Sequence, residues 1–200
     1  MTPWTRGGAT ALGVIVAVFC LASREVKASV SIAVLFDELV QDASAVAVVT
    51  PVEQSGVVED GRIVTYTHVR VDRRVAGSIA GDVWLRALGG AVGRIGQLVQ
   101  GQPTFEVSQP ALVFVRPCSK TIPGARSDSW SVIEAAQGEY PIVKGTGSEA
   151  RLATAKDVGA LVSPARPASD VRFARDVLID RPLEDAVHEI AAAWTRLHPR

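Results

Sequence analysis

The stretch Asp60-Gly61-Arg62-Ile63-Val64-Thr65-Tyr66-Thr67-His68-Val69-Arg70-Val71-Asp72-Arg73-Arg74-Val75 decides the fold class. Successive side chains of a strand point to opposite faces, so apolar and polar residues that alternate mark a half-buried strand. Ile63, Thr65, Thr67, Val69 and Val71 share one face, while Arg62, Tyr66, His68, Arg70 and Asp72 share the other. The first set is expected to meet a core and the second to meet solvent. Asp60-Gly61, following Glu59, supplies the residue pair that tolerates the positive φ of a tight hairpin turn. The strand should therefore fold back on the segment before it.

Working outward, Ala45 to Val52 carries valine on both faces and reads as a buried strand. On the other side, a turn over 76–81 leads to Asp82 to Leu88, where Val83, Leu85 and Ala87 oppose Trp84, Arg86 and Leu88. Gly89, Gly90, Gly93 and Gly96 punctuate a run continuing through Val99, and are expected to turn strands at the corners of a small barrel. Phe105 to Val107 and Ala111 to Arg116 read as a strand pair or one interrupted strand, with Pro110 at a bulge or edge. Residues 117 to 129 read as a long loop, and strands return at Trp130 to Ala135 and Tyr140 to Val143. The expected fold is mainly β: a small closed or partly open antiparallel barrel of roughly five to seven strands, resembling the oligonucleotide-binding (OB) architecture.

Two helices flank the strands. Ala33, Phe36, Leu39 and Val40 fall at helical spacing within Ile32 to Val40. At the other end Leu183, Val187, Ile190, Trp194 and Leu197 form one apolar stripe, so the C-terminal helix is amphipathic and expected to pack on the barrel. Asp180 is its expected cap, with Pro182 in the first turn, Glu184 and Asp185 near the positive end of the dipole and Arg196 near the negative end. The stretch 145–179 is rich in Ala, Gly, Ser and Pro, and reads as a linker or loosely packed segment with a turn of helix near Ala155 to Leu161. The expected division is a signal peptide at 1–28, a barrel at 29–144, the linker at 145–179 and the helix at 180–200.

The export signal rests on the uncharged run from Gly7 to Ser23, preceded by Arg6, and on Val26-Lys27-Ala28, which presents small residues at the two positions that matter for a cut between Ala28 and Ser29. Its apolar centre, Ala11 to Ala22, is shorter than the roughly 20 residues a spanning helix needs, so no stable membrane span is expected after cleavage. An uncleaved anchor is the rival reading. The 200-residue chain carries 21 basic and 21 acidic residues, a net charge of zero. Removing Arg6, Arg24, Lys27 and Glu25 leaves 18 basic against 20 acidic, a balance that argues against a nucleic-acid partner. Cleavage also removes Cys20 and leaves Cys118 without an intramolecular disulfide partner, either inert or open to pairing with another chain.

No catalytic, metal or cofactor residues are expected. His188-Glu189 begins a zincin pattern, but the second histidine position holds Ala192. Gly77-Ser78-Ile79-Ala80-Gly81 has its serine one position too early for a nucleophile elbow. The glycine run lacks the following helix and the Lys-Ser or Lys-Thr pair of a phosphate loop. Carboxylates converging only in space would make a hydrolase, and a wide apolar surface patch would suit a structural envelope component. The residues expected to meet a partner are Tyr66, His68, Arg70 and Trp84 on the polar strand faces.

The segments Asp42-Ala43-Ser44-Ala45-Val46-Ala47-Val48-Val49, Ile63-Val64-Thr65-Tyr66-Thr67-His68-Val69, Gly81-Asp82-Val83, Leu88-Gly89-Gly90-Ala91-Val92-Gly93 and Gly101-Gln102-Pro103-Thr104-Phe105 together resemble uncharacterised exported bacterial proteins. Their layout is similar to the barrel module of tissue inhibitors of metalloproteinases and netrin-type domains, over roughly residues 33 to 144. The resemblance implies an OB-like barrel and carries no catalytic residues. It also implies binding, or inhibition, of a secreted protease. Those inhibitors engage zinc with an N-terminal cysteine held by disulfides, whereas the expected N-terminus here is Ser29. The combined expectation is a periplasmic or secreted, non-enzymatic protein that binds a secreted or envelope protein.

Overall fold

The computed structural model describes residues 30–119, 126–145, 147–163 and 171–199. The expected signal segment and the cut at Ala28 and Ser29 lie outside the described residues. The elements are β1 (Val30–Ile32), α1 (Phe36–Asp42), β2 (Ala45–Glu59), β3 (Arg62–Gly77), β4 (Asp82–Leu88), β5 (Gly90–Val92), β6 (Ile95–Gln97) and β7 (Ala111–Pro117). There follow β8 (Ser129–Val132), a 3₁₀ turn (Ala135–Gly138), β9 (Glu139–Lys144), β10 (Ala150–Leu152), β11 (Ala160–Val162), α2 (Ala174–Leu178) and α3 (Leu183–Leu197). The protein is mainly β, with helices at both ends of the described chain.

The principal sheet runs β10-β9-β7-β2-β3-β4-β8, and β8 also pairs with β7. Hydrogen bonding therefore runs in a ring through β2, β3, β4, β8 and β7. Its longest arm is the β2–β3 hairpin, in register from Ala45↔Gly77 to Glu59↔Arg62 with three register shifts along it. Asp60 and Gly61 both have positive φ, 48° and 72°, so the Asp-Gly turn forms as its residue types require. The ring is not wholly antiparallel. Trp84↔Ser129 and Leu85↔Trp130 pair β4 with β8 in parallel, because the chain returns to β4's free edge after a long connection rather than by a hairpin.

The first part of β2, Ala45 to Val49, and β7 from Ala111 to Val115 are buried on both faces, which explains their unbroken apolar composition. One face, with Ala45, Ala47, Val49, Val113 and Val115, joins Val69, Val83, Leu85, Phe105 and Val132 inside the ring. The other, with Val46, Val48, Leu112 and Phe114, meets Phe36, Leu39 and Val40 of α1, Leu178 of α2 and Ile190 of α3. The C-terminal helix thus packs on the sheet as its stripe predicts. Arg196 and Asp37 form two 2.9 Å hydrogen bonds that tie α3 to α1, and Arg196 holds the Asp37 carboxyl below the ordinary aspartate range.

Several expectations are corrected. Tyr66 is 3% exposed, so the polar face of β3 is not uniformly solvated. Gly90, Gly93 and Gly96 build the separate β5–β6 hairpin rather than ring corners, and Gly89 leads into it. At Gly90, with φ +112°, an added Cβ would lie 2.0 Å from Thr65 Oγ1, so glycine lets the hairpin backbone lie against β3. Phe105 to Val107 is not a strand; Phe105 plugs the ring interior from an irregular segment. Within the expected linker, β10 extends the sheet beside β9 and β11 pairs in parallel with β1. β11 also occupies part of the segment expected to turn as helix near Ala155 to Leu161. Asp180 does not cap α3: it has φ 59°, and Pro182 occupies the N-cap without a side-chain bond.

Candidate functional site

The β3–β4 pairing sets Tyr66 opposite Arg86 and His68 opposite Trp84. Directly opposed residues in an antiparallel pair bring their side chains together, so the ladder itself assembles this face in two layers. The lower layer is a buried polar cluster. Arg86 Nε and Nη2 donate to Glu59 Oε2 at 3.0 and 2.8 Å, and Tyr66 Oη donates to Glu59 Oε1 at 2.5 Å. Glu59 and Tyr66 are both buried, and the Arg86 side chain is 14% exposed. Burial first, and the Glu59 hydrogen bond second, push the Tyr66 hydroxyl above the usual tyrosine range, which keeps it a donor. The same oxygen accepts the Arg126 N–H at 3.0 Å, fixing that backbone onto the sheet.

The upper layer is the surface. His68 stacks on Trp84 with centroids 4.8 Å apart and planes 22° from parallel, and the Arg126 guanidinium lies 4.2 Å from the Trp84 ring centroid. Carboxylates surround the rings. Glu53 and Asp82 approach the two His68 nitrogens at 3.8 and 3.9 Å, and Asp128 pairs with Arg126. Of the residues expected to meet a partner, His68 and Trp84 come together here. Arg70 is exposed and held by Asp72 at 2.8 Å rather than stacked on Trp84. Tyr66 supports the surface from beneath. Sequence reading missed Glu59 and Arg126 because both reach this face through folding rather than through strand alternation. Arg86 was legible on the strand, but its buried partner was not.

A second feature is a cleft of about 210 Å³ between residues 104–109, β9 and residues 153–156. Glu139 opens β9 directly after the 3₁₀ turn and pairs with Val113, which places its side chain in the cleft wall. It is 3% exposed. Its Oε2 accepts the Thr104 N–H at 3.1 Å, and Oε1 has no hydrogen-bond partner among the described residues. Burial pushes its carboxyl up to about 8; the Thr104 N–H opposes that rise, and the nearby Asp157 charge adds to it.

The cleft contains one buried carboxyl rather than a facing pair. Asp157 accepts a hydrogen bond from Thr104 Oγ1, and Glu106 pairs with Lys156 at the rim. Nothing in the local sequence Gln137-Gly138-Glu139-Tyr140 distinguishes this glutamate from a surface residue. Among the described residues no group of three His, Cys, Asp or Glu side chains is arranged to hold a metal ion. No helix among them is long and apolar enough to cross a membrane. Cys118 is a free, half-buried thiol beside the ring, with its N–H bonded to the Ser129 carbonyl at 2.9 Å. No protein-family model matches the chain, and no curated protein matches it.

Proposed function

We propose that this is an exported, non-enzymatic binding protein whose ring of strands is a small OB-like barrel, and that the Trp84 face engages a secreted or envelope protein. The strand order supports the barrel reading. β7-β2-β3-β4 is a Greek-key order, with the fourth ring strand returning beside the first, and β8 closes the circuit. The observation that carries the binding reading is the half-exposed Trp84 stacked by His68 and Arg126 above a buried ion pair. Tryptophan and arginine dominate protein-interface hot spots, and a pre-organised aromatic loses little conformational freedom on docking. The surrounding carboxylates Glu53, Asp72, Asp82 and Asp128 outnumber Arg70 and Arg126, which suits a basic or mixed protein surface and disfavours nucleic acid.

A secreted protease is the partner class to test first. Trp84→Ala should abolish cross-links formed from positions 70 and 82 to the partner in native secretome, while leaving the melting temperature nearly unchanged. The same variant should lose any inhibition across a panel of secreted proteases. Cross-links that persist in Trp84→Ala, or catalytic turnover by the purified protein in a broad substrate screen, would refute the reading.

A further inference from the structure

We propose that the cleft beside Glu139 binds an alkylammonium group, that of a small aliphatic amine or of a lysine side chain. The cationic head would meet Glu139 Oε1, and the methylenes would lie against Phe105, Pro141 and Val143. This site is separate from the Trp84 face and does not depend on the reading of that face.

The cleft's own chemistry selects such a ligand. Gln109 directs its Nε2 to the Ile142 carbonyl at 2.5 Å, leaving its amide oxygen as an acceptor. With Glu139 Oε1, an acceptor once the carboxyl ionises, the wall offers two acceptors to a ligand rich in N–H donors. An anionic ligand would meet Glu139, Glu106 and Asp157 together. The charged groups around Glu139 are already matched. Lys156 pairs with Glu106 at the rim, Asp157 is held by Thr104, and Arg175, across the adjoining smaller pocket, pairs with Asp176 at 3.3 Å. Glu139 is the buried carboxyl among them and has no opposite charge bonded to it, and a buried carboxylate without one is costly.

That cost is visible in the carboxyl's raised protonation range, up to about 8. At neutral pH Glu139 holds its proton. An arriving ammonium keeps its own three hydrogens and the Glu139 proton leaves to solvent, so binding well below pH 8 releases one proton per ligand. Apparent affinity should therefore rise about 100-fold from pH 6 to pH 9, before an alkylammonium begins to lose its own proton near 10.4.

The test uses the full chain with n-butylammonium chloride and with Nα-acetyl-lysine N-methylamide, followed by calorimetry at pH 6, 7.5 and 9 in buffers of different ionisation enthalpy. n-Butanol is the neutral control. The expected result is binding that strengthens with pH, proton release at pH 6 that vanishes at pH 9, and no comparable binding of butanol. Binding of both probes marks a site for the ammonium group as such. Binding of the lysine derivative alone marks a polypeptide side chain as the source. Glu139→Gln should weaken binding at pH 9 about tenfold or more and abolish its pH dependence. If that variant does not fold, the wild-type proton count still decides. Absence of binding at pH 9, pH-independent binding, or equal binding of butanol overturns the proposal.

Discussion

At Glu59 a charge lies inside the protein because Arg86 and Tyr66 together satisfy both of its oxygens. Removing one member of such a pair leaves the other uncompensated, which costs far more than replacing both by apolar residues of similar size. Arg86→Ala is expected to lower stability by about 3 to 5 kcal/mol, read as a fall in the urea midpoint. The double variant Glu59→Leu/Arg86→Leu should recover most of that loss. Glu139 makes a different prediction. Its folded-state pKa of about 8 lies above the ordinary 4.5, so the folded protein holds a proton that the unfolded chain has released between those values. Its stabilising contribution is complete below pH 4.5, is lost as pH rises to about 8, and is constant above. Glu139→Gln cannot ionise. It should flatten that decline and exceed wild type by about 3 to 5 kcal/mol at pH 9, measured by denaturation across the pH range. Neither residue was legible as special in the sequence, because each owes its state to neighbours from distant segments.

At the scale of elements, the β5–β6 hairpin rests on β3 through a backbone approach that a side chain would block. Thr65 Oγ1 occupies the position a Cβ on Gly90 would need, and itself donates to the Gly89 carbonyl at 2.7 Å. Gly90→Ala is expected to cost about 1 to 3 kcal/mol, as expected for a side chain forced into positive φ. Hydrogen exchange should report the hairpin amides opening first. The glycines were conspicuous in the sequence, yet a barrel corner and a closely seated hairpin require the same residue. By contrast the β2–β3 turn was legible, since Asp60-Gly61 and the alternation after it are both local. β10 and β11 were not: three-residue strands carry too little periodicity to separate them from loop.

At the scale of the molecule, α3 is an integral wall of the core. Ile190 is fully buried among residues from α1, β2 and β7, so the described elements are expected to unfold together. Ile190→Ala should lower stability by about 2 to 5 kcal/mol. Fluorescence of Trp84 on the sheet and of Trp194 on α3, each isolated by Trp→Phe changes at the other three tryptophans, should report one shared midpoint. Separate transitions would show that the helix is an appendage.

The sequence by itself determined what contiguous residues can determine. Alternation marked β3 and β4, a two-faced valine run marked β2, an Asp-Gly pair marked the hairpin, and an apolar stripe marked the terminal helix. Each follows from the fixed periods of strand and helix. Tertiary structure decided the rest: that the strands pair in a ring with a parallel β4–β8 contact, that Tyr66 lies beneath the surface, that Arg126 reaches Trp84, and that Glu139 stands unpaired in a cleft. Burial and charge pairing depend on which distant segments meet, and no local pattern encodes that meeting.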